Sequence, residues 1–207
     1  EFMILANVCA AEALEKAGAP LLFRVHEEPN PEKIESLREV LASVDIPLPK
    51  GQRITTKRLN GALDMASGSA HAVLVNMSVL RAQSQAYYSP ESLGDFGLSL
   101  RSYAHFTSPI RRYADLLVHR ALVDAYKLEQ PKPKIDLPEG SGLSDRDKTA
   151  LHQITDAISQ TERRAMEAER DTIDRYVAAW LSGRVGETFD TRITGVQGFG
   201  FFATTEK

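Results

Sequence analysis

The chain has 207 residues, of which 43% are hydrophobic and 26% charged, and 25 Lys and Arg against 28 Asp and Glu give a net charge of −3 at pH 7. This composition excludes wholesale disorder, and the single cysteine excludes a disulfide framework or cysteine-based zinc site and fits a reducing cytoplasm. No apolar run approaches the ~18 residues that span a bilayer, so no membrane role is expected, and the slight acidity argues against a nucleic-acid partner.

Residues 1–17 predict a helix that ends at Gly18 and Pro20. The segment EFMILANVCAAEALEKAG is rich in helix-forming residues. Its apolar side chains recur at helical spacing, and those on or near one face are Phe2, Leu5, Ala6, Cys9, Ala13 and Ala17. The cysteine in this stripe is expected to be a buried small apolar residue.

Both ends of the chain predict a fragment of a longer protein. No Ser, Thr, Asp or Asn precedes Glu1 to cap the first helix. At the other end, FGFFATTEK is a strand-like run without a partner. The alternative is that Glu1 and Phe2 are cloning remnants before a true start at Met3.

Strands and helices follow in order through the first half of the chain. Residues 21–27 alternate well enough for a short strand. Asn30 then caps a helix that has Pro31 at its first position and Glu32 in its first turn, and that extends to about residue 44. Further helices are predicted at residues 56–66 and 71–85, a strand at residues 96–103, and a helix from Ser108 to about residue 128.

The second half begins with a proline-rich linker at residues 129–143. A long helical region covers residues 144–182 and ends at Gly183; Ser159 with Glu162 matches a capping box, so two helices are predicted to meet near Ser159. The final ETFDTRITGVQGFGFFA predicts strand–turn–strand. The predicted fold class is α+β, with a mainly helical body, a few strands and a β module at the end.

Residues 101–120, RSYAHFTSPIRRYADLLVHR, contain the largest group of candidate functional side chains. Ser108 is a good N-cap and Pro109 a preferred first helical residue, which places Arg111 and Arg112 in the first turn. Cations are disfavoured at that end of a helix. Two of them beside free backbone N–H groups therefore indicate a bound anion, and phosphate is the obvious candidate.

The charge of this region supports an anion site but leaves an alternative. Residues 101–127 contain five basic and two acidic side chains, a local +3 inside a chain of −3. The alternative is that Arg111 pairs with Asp115 at i,i+4 on a solvated helix face, which is worth ~0.3–0.5 kcal/mol. Spacing alone does not decide between the two.

The motif GDFGLSLRSYAHFTSPIRRYADLLVHR resembles the signature of the ribonuclease II / ribonuclease R exoribonucleases. EFMILANVCAAE, LLFRVHEEPNPEKIESLREVL and SQTERRAMEAERD agree in order, and YAHFTSPIRRY and GVQGFGFF place the pattern closer to ribonuclease R. The resemblance covers essentially the whole chain. It implies that residues 1–183 are the C-terminal portion of a ribonuclease II-type catalytic domain and residues 184–207 the first strands of an OB-fold RNA-binding barrel.

The resemblance also implies an activity for the full-length protein. It would be a monomeric, cytoplasmic, Mg²⁺-dependent enzyme that degrades single-stranded RNA, and structured RNA as a further substrate, processively from 3′ to 5′ to nucleoside 5′-monophosphates. Arg111 matches the family's catalytic arginine, and Arg112 is expected to bind backbone phosphate. The other residues expected to hold RNA or line its channel are Tyr103, His105, Thr107, Tyr113, Glu169, Phe199 and Phe202. Strand alternation puts Phe201 and Phe202 on opposite faces, so at least one of them is expected in the core.

The metal-binding aspartates of the family lie upstream of the matched region, and no such cluster occurs here. Asp145 and Asp147, at a capped helix start, are expected to be surface charge. No metal ligand is therefore predicted, and the fragment alone is expected not to cleave RNA. The alternative function is a non-catalytic RNA-binding or regulatory protein that retains the basic motif.

One position departs from the family pattern. The family usually has G-H-F-G-L where this chain has Gly94, Asp95, Phe96, Gly97 and Leu98. A carboxylate in place of an imidazole removes a hydrogen-bond donor and adds negative charge near the expected RNA path. The role of Asp95 is left open by the sequence.

Overall fold

The computed structural model describes residues 1–128 and 142–205, apart from the side chains of residues 196 and 197. The helices are α1 Phe2–Lys16, α2 Pro31–Ala42, α3 Thr56–Ala66, α4 Ala72–Ala82, α5 Tyr113–Tyr126, α6 Asp145–Thr149 and α7 Leu151–Ser182. The strands are β1 Phe23–Val25, β2 Tyr87–Ser89, β3 Thr191–Gln197 and β4 Gly200–Thr205. Nearly all of the predicted linker lies outside the described residues.

Contacts along the chain define two compact units, Glu1–Glu27 with Ala86–Arg170 and Glu28–Gln85 with Asp171–Lys207. The mixture of helices and small antiparallel sheets confirms a mixed helix-and-strand class. The predicted boundary between residues 183 and 184 stays a prediction. None of the helices in the described ranges combines the length and apolar character needed to cross a membrane.

The core of the first unit forms where α1 and α5 pack beside the strand pair. Its most deeply buried side chains include Leu14, Leu22, Val25, Leu117 and Val118. Each such side chain contributes about 1.5–3 kcal/mol when it leaves water. This core fixes the position of α5, which begins directly after the SPIRR segment.

Helix α1 is confirmed, but its buried face is not the predicted one. The structure buries Ala10, Ala11 and Leu14, with Asn7 one turn earlier. Phe2 and Leu5 are exposed, and Cys9 is exposed too, so the prediction that it is buried was wrong. The alanine-rich sequence offers two adjacent stripes, and the one that carries Leu14 and the hydrogen-bonding Asn7 faces the core.

The strand predicted at residues 21–27 is confirmed as the shorter β1, which pairs antiparallel with β2, Phe23 opposite Ser89 and Val25 opposite Tyr87. The strand predicted at residues 96–103 was wrong. That segment forms turns with isolated bridges from Asp95 to His26 and Leu100. Ser99 lies at φ +57°, in the left-handed region that interrupts an extended strand.

The predicted junction near Ser159 was wrong, because the helix break lies at Ala150. Helix α6 begins at a capping Ser144, whose hydroxyl accepts from the Asp147 amide at 3.1 Å. Helix α7 then continues unbroken through Ser159. The Ser159 hydroxyl instead accepts the buried amide N–H of Tyr88 at 2.9 Å, which ties α7 to β2.

The ion pair of Arg24 and Glu162, at 2.6 Å, joins α7 to the same strand pair. The Arg24 guanidinium also lies over the Tyr88 ring, 4.8 Å from its centroid. A cation over an aromatic face is attracted by the ring quadrupole. Glu162, read from the sequence as half of a capping box, thus pairs across the fold.

In the second unit, α4 packs against α2, α3 and β3. The start of α2 is confirmed in detail, since Asn30 Oδ1 accepts from the Glu32 amide at 2.8 Å with Pro31 at the first position. Gly195 of β3 lies against α4. A Cβ at this position would stand 2.6 Å from Nη1 of Arg81, so the arginine side chain would have to move to admit one.

The strand–turn–strand prediction is confirmed by the antiparallel pair β3 and β4. Within the described ranges no third strand joins it, so the OB barrel stays a prediction. Phe201 and Phe202 are 66% and 49% exposed, so the expectation that one of them lies in the core was wrong. A two-stranded hairpin has no second layer of strands to cover either face.

Candidate nucleic-acid interface

The two arginines lie on a turn before α5 and not in the first turn of the helix. The amides of Arg111 and Arg112 both donate to the Ser108 carbonyl, at 3.3 and 3.2 Å. Arg112 then adopts an extended conformation as the N-cap, and α5 begins at Tyr113. The predicted helix start at Ser108 was therefore wrong, because Ser108 and Pro109 start a separate turn, a position that proline also favours.

Asp115 anchors this turn. Its carboxylate is completely buried and accepts the Ser108 amide at 2.7 Å on Oδ1. Arg112 donates to the same carboxylate twice, from Nε to Oδ2 at 2.7 Å and from Nη2 to Oδ1 at 2.8 Å. The alternative pairing of Arg111 with Asp115 was wrong, because Asp115 takes its partner at i,i+3 and not at i,i+4.

Arg111 is left exposed at the end of the turn. Within residues 1–128 and 142–205 its guanidinium has no hydrogen-bond or ion-pair partner. Ile110 beside it is also fully exposed. The turn therefore presents one uncompensated guanidinium to solvent, while the neighbouring one is neutralised by a buried carboxylate.

Asn7 of α1 holds the segment that precedes the turn. Its Oδ1 accepts the amides of Phe106 and Thr107, at 3.0 and 3.2 Å. Its Nδ2 donates to the Tyr103 hydroxyl at 2.9 Å. Asn7 is 3% exposed, so these bonds are made away from water. Sequence reasoning missed this residue, although a lone amide among apolar helix residues was a signal for it.

His105 is a half-buried, neutral ring behind the turn. Its Nδ1 lies 2.8 Å from the Tyr88 hydroxyl. Burial, with the positive charges of Arg112 and Arg24 nearby, lowers the pKa of His105 to about 4. Burial likewise raises the pKa of Tyr88. Near neutral pH, His105 is therefore a hydrogen-bonding group and not a cation.

Six of the predicted site residues lie on one segment, residues 103–113, one lies on α7, and two lie on the β3–β4 hairpin of the second unit. Those on the segment around the turn are Tyr103, His105, Thr107, Arg111, Arg112 and Tyr113. Tyr103 is buried, whereas Tyr113 is 48% exposed. Glu169 is exposed on α7. Phe199 and Phe202 belong to the second unit, where their rings meet edge to face at 6.1 Å.

The residues described here do not fit a magnesium site. Across residues 1–128 and 142–205 no group of three or more His, Cys, Asp or Glu side chains could hold a metal ion. Asp145 is fully exposed, and Asp147 lies 3.5 Å from Arg120 in an ion pair. Mg²⁺ prefers several oxygen ligands in octahedral geometry, and the carboxylates of the described residues do not converge to supply them.

Asp95, the departure from the expected motif, has a structural position. It is 7% exposed, and its Oδ1 accepts the Leu98 amide at 2.8 Å. The same oxygen lies 3.7 Å from Nδ1 of His26. A short side-chain acceptor of this kind closes a turn on its own backbone, so Asp95 shapes the loop at residues 95–100.

Comparison with known proteins identifies a family and relatives that this chain resembles. Residues 1–127 match the family model of the RNB domain. Ribonuclease R of Aquifex aeolicus is 41% identical over 208 residues, which cover 100% of this chain and 28% of that protein. The chain thus spans little more than a quarter of the length of this relative.

Solved structures match as well. The structure of Mycoplasma genitalium RNase R in complex with ribose-methylated single-stranded RNA has a TM-score of 0.80 and 28% identity, over 99% of this chain and 31% of that one. The same protein in complex with double-stranded RNA has a TM-score of 0.78 and 27% identity, over 99% of this chain and 35% of that one.

Proposed function

Because this chain belongs to the RNB domain family, we propose that the full-length protein is a ribonuclease R-type exoribonuclease. It hydrolyses RNA processively from the 3′ end and releases nucleoside 5′-monophosphates. Similarity to ribonuclease R over the whole chain supports this. The main observation in its support is that Arg111 is exposed on a turn that the buried Asp115 holds in place.

Arg111 acts on the phosphate next to the bond that breaks. Its planar guanidinium offers paired N–H donors that match two phosphate oxygens. As negative charge builds on the phosphate in the transition state, a cation already in place stabilises it without reorganisation. The absence of a competing carboxylate among the described residues leaves the whole guanidinium for the substrate.

Arg112 has a different role, because two of its donor nitrogens bind Asp115. Its remaining Nη1 is proposed to contact backbone phosphate. Tyr113, half-exposed at the start of α5, borders the same surface. The buried Tyr103 and the half-buried His105, with Thr107, shape the RNA path from behind through their bonds to Asn7 and Tyr88.

Phe199 and Phe202 are proposed to contact RNA bases. Their rings are 84% and 49% exposed on the β3–β4 hairpin. Stacking of a base on an aromatic ring is worth about 1–3 kcal/mol and tolerates any base. Glu169, exposed on α7, is proposed to adjust how tightly RNA is held.

The partners and the metal follow from the same proposal. The substrate is single-stranded RNA, with structured RNA as a second class, and the protein is a cytoplasmic monomer. The metal is Mg²⁺, which would supply the activated water, and its ligands would come from outside this chain because the described residues hold no cluster for it. The 207-residue chain alone is therefore expected to bind RNA without cleaving it.

The test compares turnover with binding in the full-length protein. Arg111→Ala should abolish release of mononucleotides from a single-stranded oligoribonucleotide and leave its Kd within about threefold. Arg163→Ala, which removes an exposed arginine of α7, is the matched control and should change neither. A duplex with a single-stranded 3′ tail tests structured RNA.

Three outcomes contradict the proposal in different ways. Wild-type protein that binds RNA without releasing mononucleotides would support the non-catalytic RNA-binding alternative. A loss of binding as large as the loss of turnover in Arg111→Ala would make Arg111 an anchor for RNA. Cleavage by the 207-residue chain would place the metal ligands within it.

A further inference from the structure

We infer that Asp115 is a positioning residue for Arg111, an inference that rests on the function proposed above. Asp115 touches no substrate, since its carboxylate is completely buried. It binds both ends of the turn, Ser108 through the amide and Arg112 through the guanidinium. Arg111 lies between those two ends, so the path of its backbone is set by one carboxylate.

The bonds of Asp115 are well suited to this role. Three N–H donors converge on its two oxygens at 2.7–2.8 Å, and an ionised carboxylate offers about four acceptor positions. Charge-assisted bonds of this length are roughly twice as strong as neutral ones. A buried carboxylate with a bidentate guanidinium also has a fixed orientation, unlike a solvated pair.

Asn7 extends the same arrangement to the segment before the turn. The three successive amides of Phe106, Thr107 and Ser108 donate to side chains, the first two to Asn7 and the third to Asp115. Loop amides of this kind have no helix or sheet carbonyls to accept their hydrogen bonds, so side chains must accept them. Because Asn7 lies on α1 and Asp115 on α5, the packing of these two helices sets the position of the loop.

The two adjacent arginines, Arg111 and Arg112, consequently have different roles. Arg112 neutralises the buried Asp115 and completes the anchor, and Arg111 is held out toward the phosphate. A change at Asp115 should therefore act on turnover through the orientation of Arg111. A substitution remote from the reacting groups that displaces a catalytic side chain by about 1 Å can lower the rate about a hundredfold.

The experiment measures kcat and KM of the full-length protein on single-stranded RNA. Asp115→Asn keeps the size of the side chain but presents an NH₂ group to Arg112, and should lower kcat about 10–100-fold with KM within about threefold. Arg112→Lys, which cannot bind bidentately, should change kcat in the same direction. Asp124→Asn, on the same helix with surface lysine partners, is the matched control and should leave kcat within about twofold.

A second arm separates positioning from general weakening of the fold. In an Arg111→Lys background, addition of Asp115→Asn should lower kcat by less than about threefold, because the group that it positions is already replaced. An equal loss in both backgrounds would overturn the inference. A rise in KM with kcat unchanged would overturn it too.

Hydrogen exchange on the 207-residue chain tests the anchor without any activity. Asp115→Asn should lower protection of the Ser108 amide about tenfold or more relative to the Asp124→Asn control. Unchanged protection would overturn the inference, whatever the kinetics show. If the wild-type protein has no ribonuclease activity, the proposed function fails, and the exchange measurement still decides whether Asp115 fixes the turn.

Discussion

Acidification should destabilise the first unit through His105. The ring is half-buried beside Tyr88, and Arg112, Arg24 and Arg111 disfavour a further positive charge. These effects lower the pKa of His105 from 6.5 to about 4 and outweigh the opposing effect of Asp115. Between these two pKa values the unfolded chain binds more protons than the folded chain. Stability is therefore fully present above pH 6.5 and is lost as the pH falls toward 4.

The magnitude follows from the two pKa values. At pH 4.5, the preference of the unfolded chain for the proton lowers the free energy of unfolding by about 2.5 kcal/mol relative to pH 7.5. The loss at pH 6 is much smaller, about 0.8 kcal/mol. The steepest decline is thus expected between about pH 6 and pH 4.5, below the range in which an unperturbed histidine titrates.

The assay is urea unfolding of the wild type and of His105→Asn across this pH range. The variant keeps an acceptor for the Tyr88 hydroxyl and cannot titrate, so its stability should depend less on pH by about 2.5 kcal/mol. His71→Asn, at an exposed position, is the control and should follow the wild type. A ring proton signal of His105 that titrates near pH 6.5, or parallel curves for wild type and His105→Asn, would refute the reasoning.

Two further predictions concern packing in the first unit and a contrast between glycines. Ser159→Ala should lower the free energy of unfolding by about 1–3 kcal/mol, because it leaves the buried Tyr88 amide without an acceptor; an unchanged urea midpoint would show that the bond is dispensable. Gly97→Ala should destabilise by about 1–3 kcal/mol, because its Cβ would lie 2.7 Å from Nδ1 of His26. Gly61→Ala, in α3 with open space around it, should stabilise by about 0.5–1 kcal/mol, and a loss of Tm in that variant would contradict this account.

Elements marked by local signals could be predicted from the sequence. The start of α2 rests on three adjacent residues, Asn30, Pro31 and Glu32, whose bonds close within the segment itself. The β3–β4 hairpin rests on its alternation and its Gly-Phe-Gly turn in the same way. The strand β2 carried no such signal, since Tyr87–Ser89 is defined by its pairing with β1, more than sixty residues away.

The start of α5 shows how a buried partner seven residues further along the chain overrides a local signal. Ser108 and Pro109 form a valid helix start by propensity. In the structure, Asp115 takes the Ser108 amide, and Arg112 becomes the N-cap. The sequence contained both groups seven residues apart, but nothing local indicated that the carboxylate would turn inward rather than join a solvated helix face.

The membership of the candidate site stays a prediction, whereas the contacts that hold the turn could not be predicted from the sequence. The resemblance gave the residues around the turn, and six of them are already neighbours in the sequence, between residues 103 and 113. Asn7 and Asp115 were missed as anchors, because their roles depend on which helix face is buried. Helical spacing in α1 left two stripes open, and the choice between them decides whether Asn7 faces solvent or the loop.

The charge that residues 101–127 offer to a ligand is the charge that remains after their ion pairs are taken into account. Of the five basic side chains at residues 101–127, Arg112, Arg120 and Lys127 each pair with a carboxylate. Arg101 and Arg111 are the two without an ion-pair partner among the described residues. The net acidity of the chain is therefore compatible with a nucleic-acid partner, because a phosphate at the turn meets the field of the unpaired guanidinium and not the average over 207 residues. The proposed role falls to Arg111 because the buried carboxylate of Asp115 already occupies its neighbour Arg112.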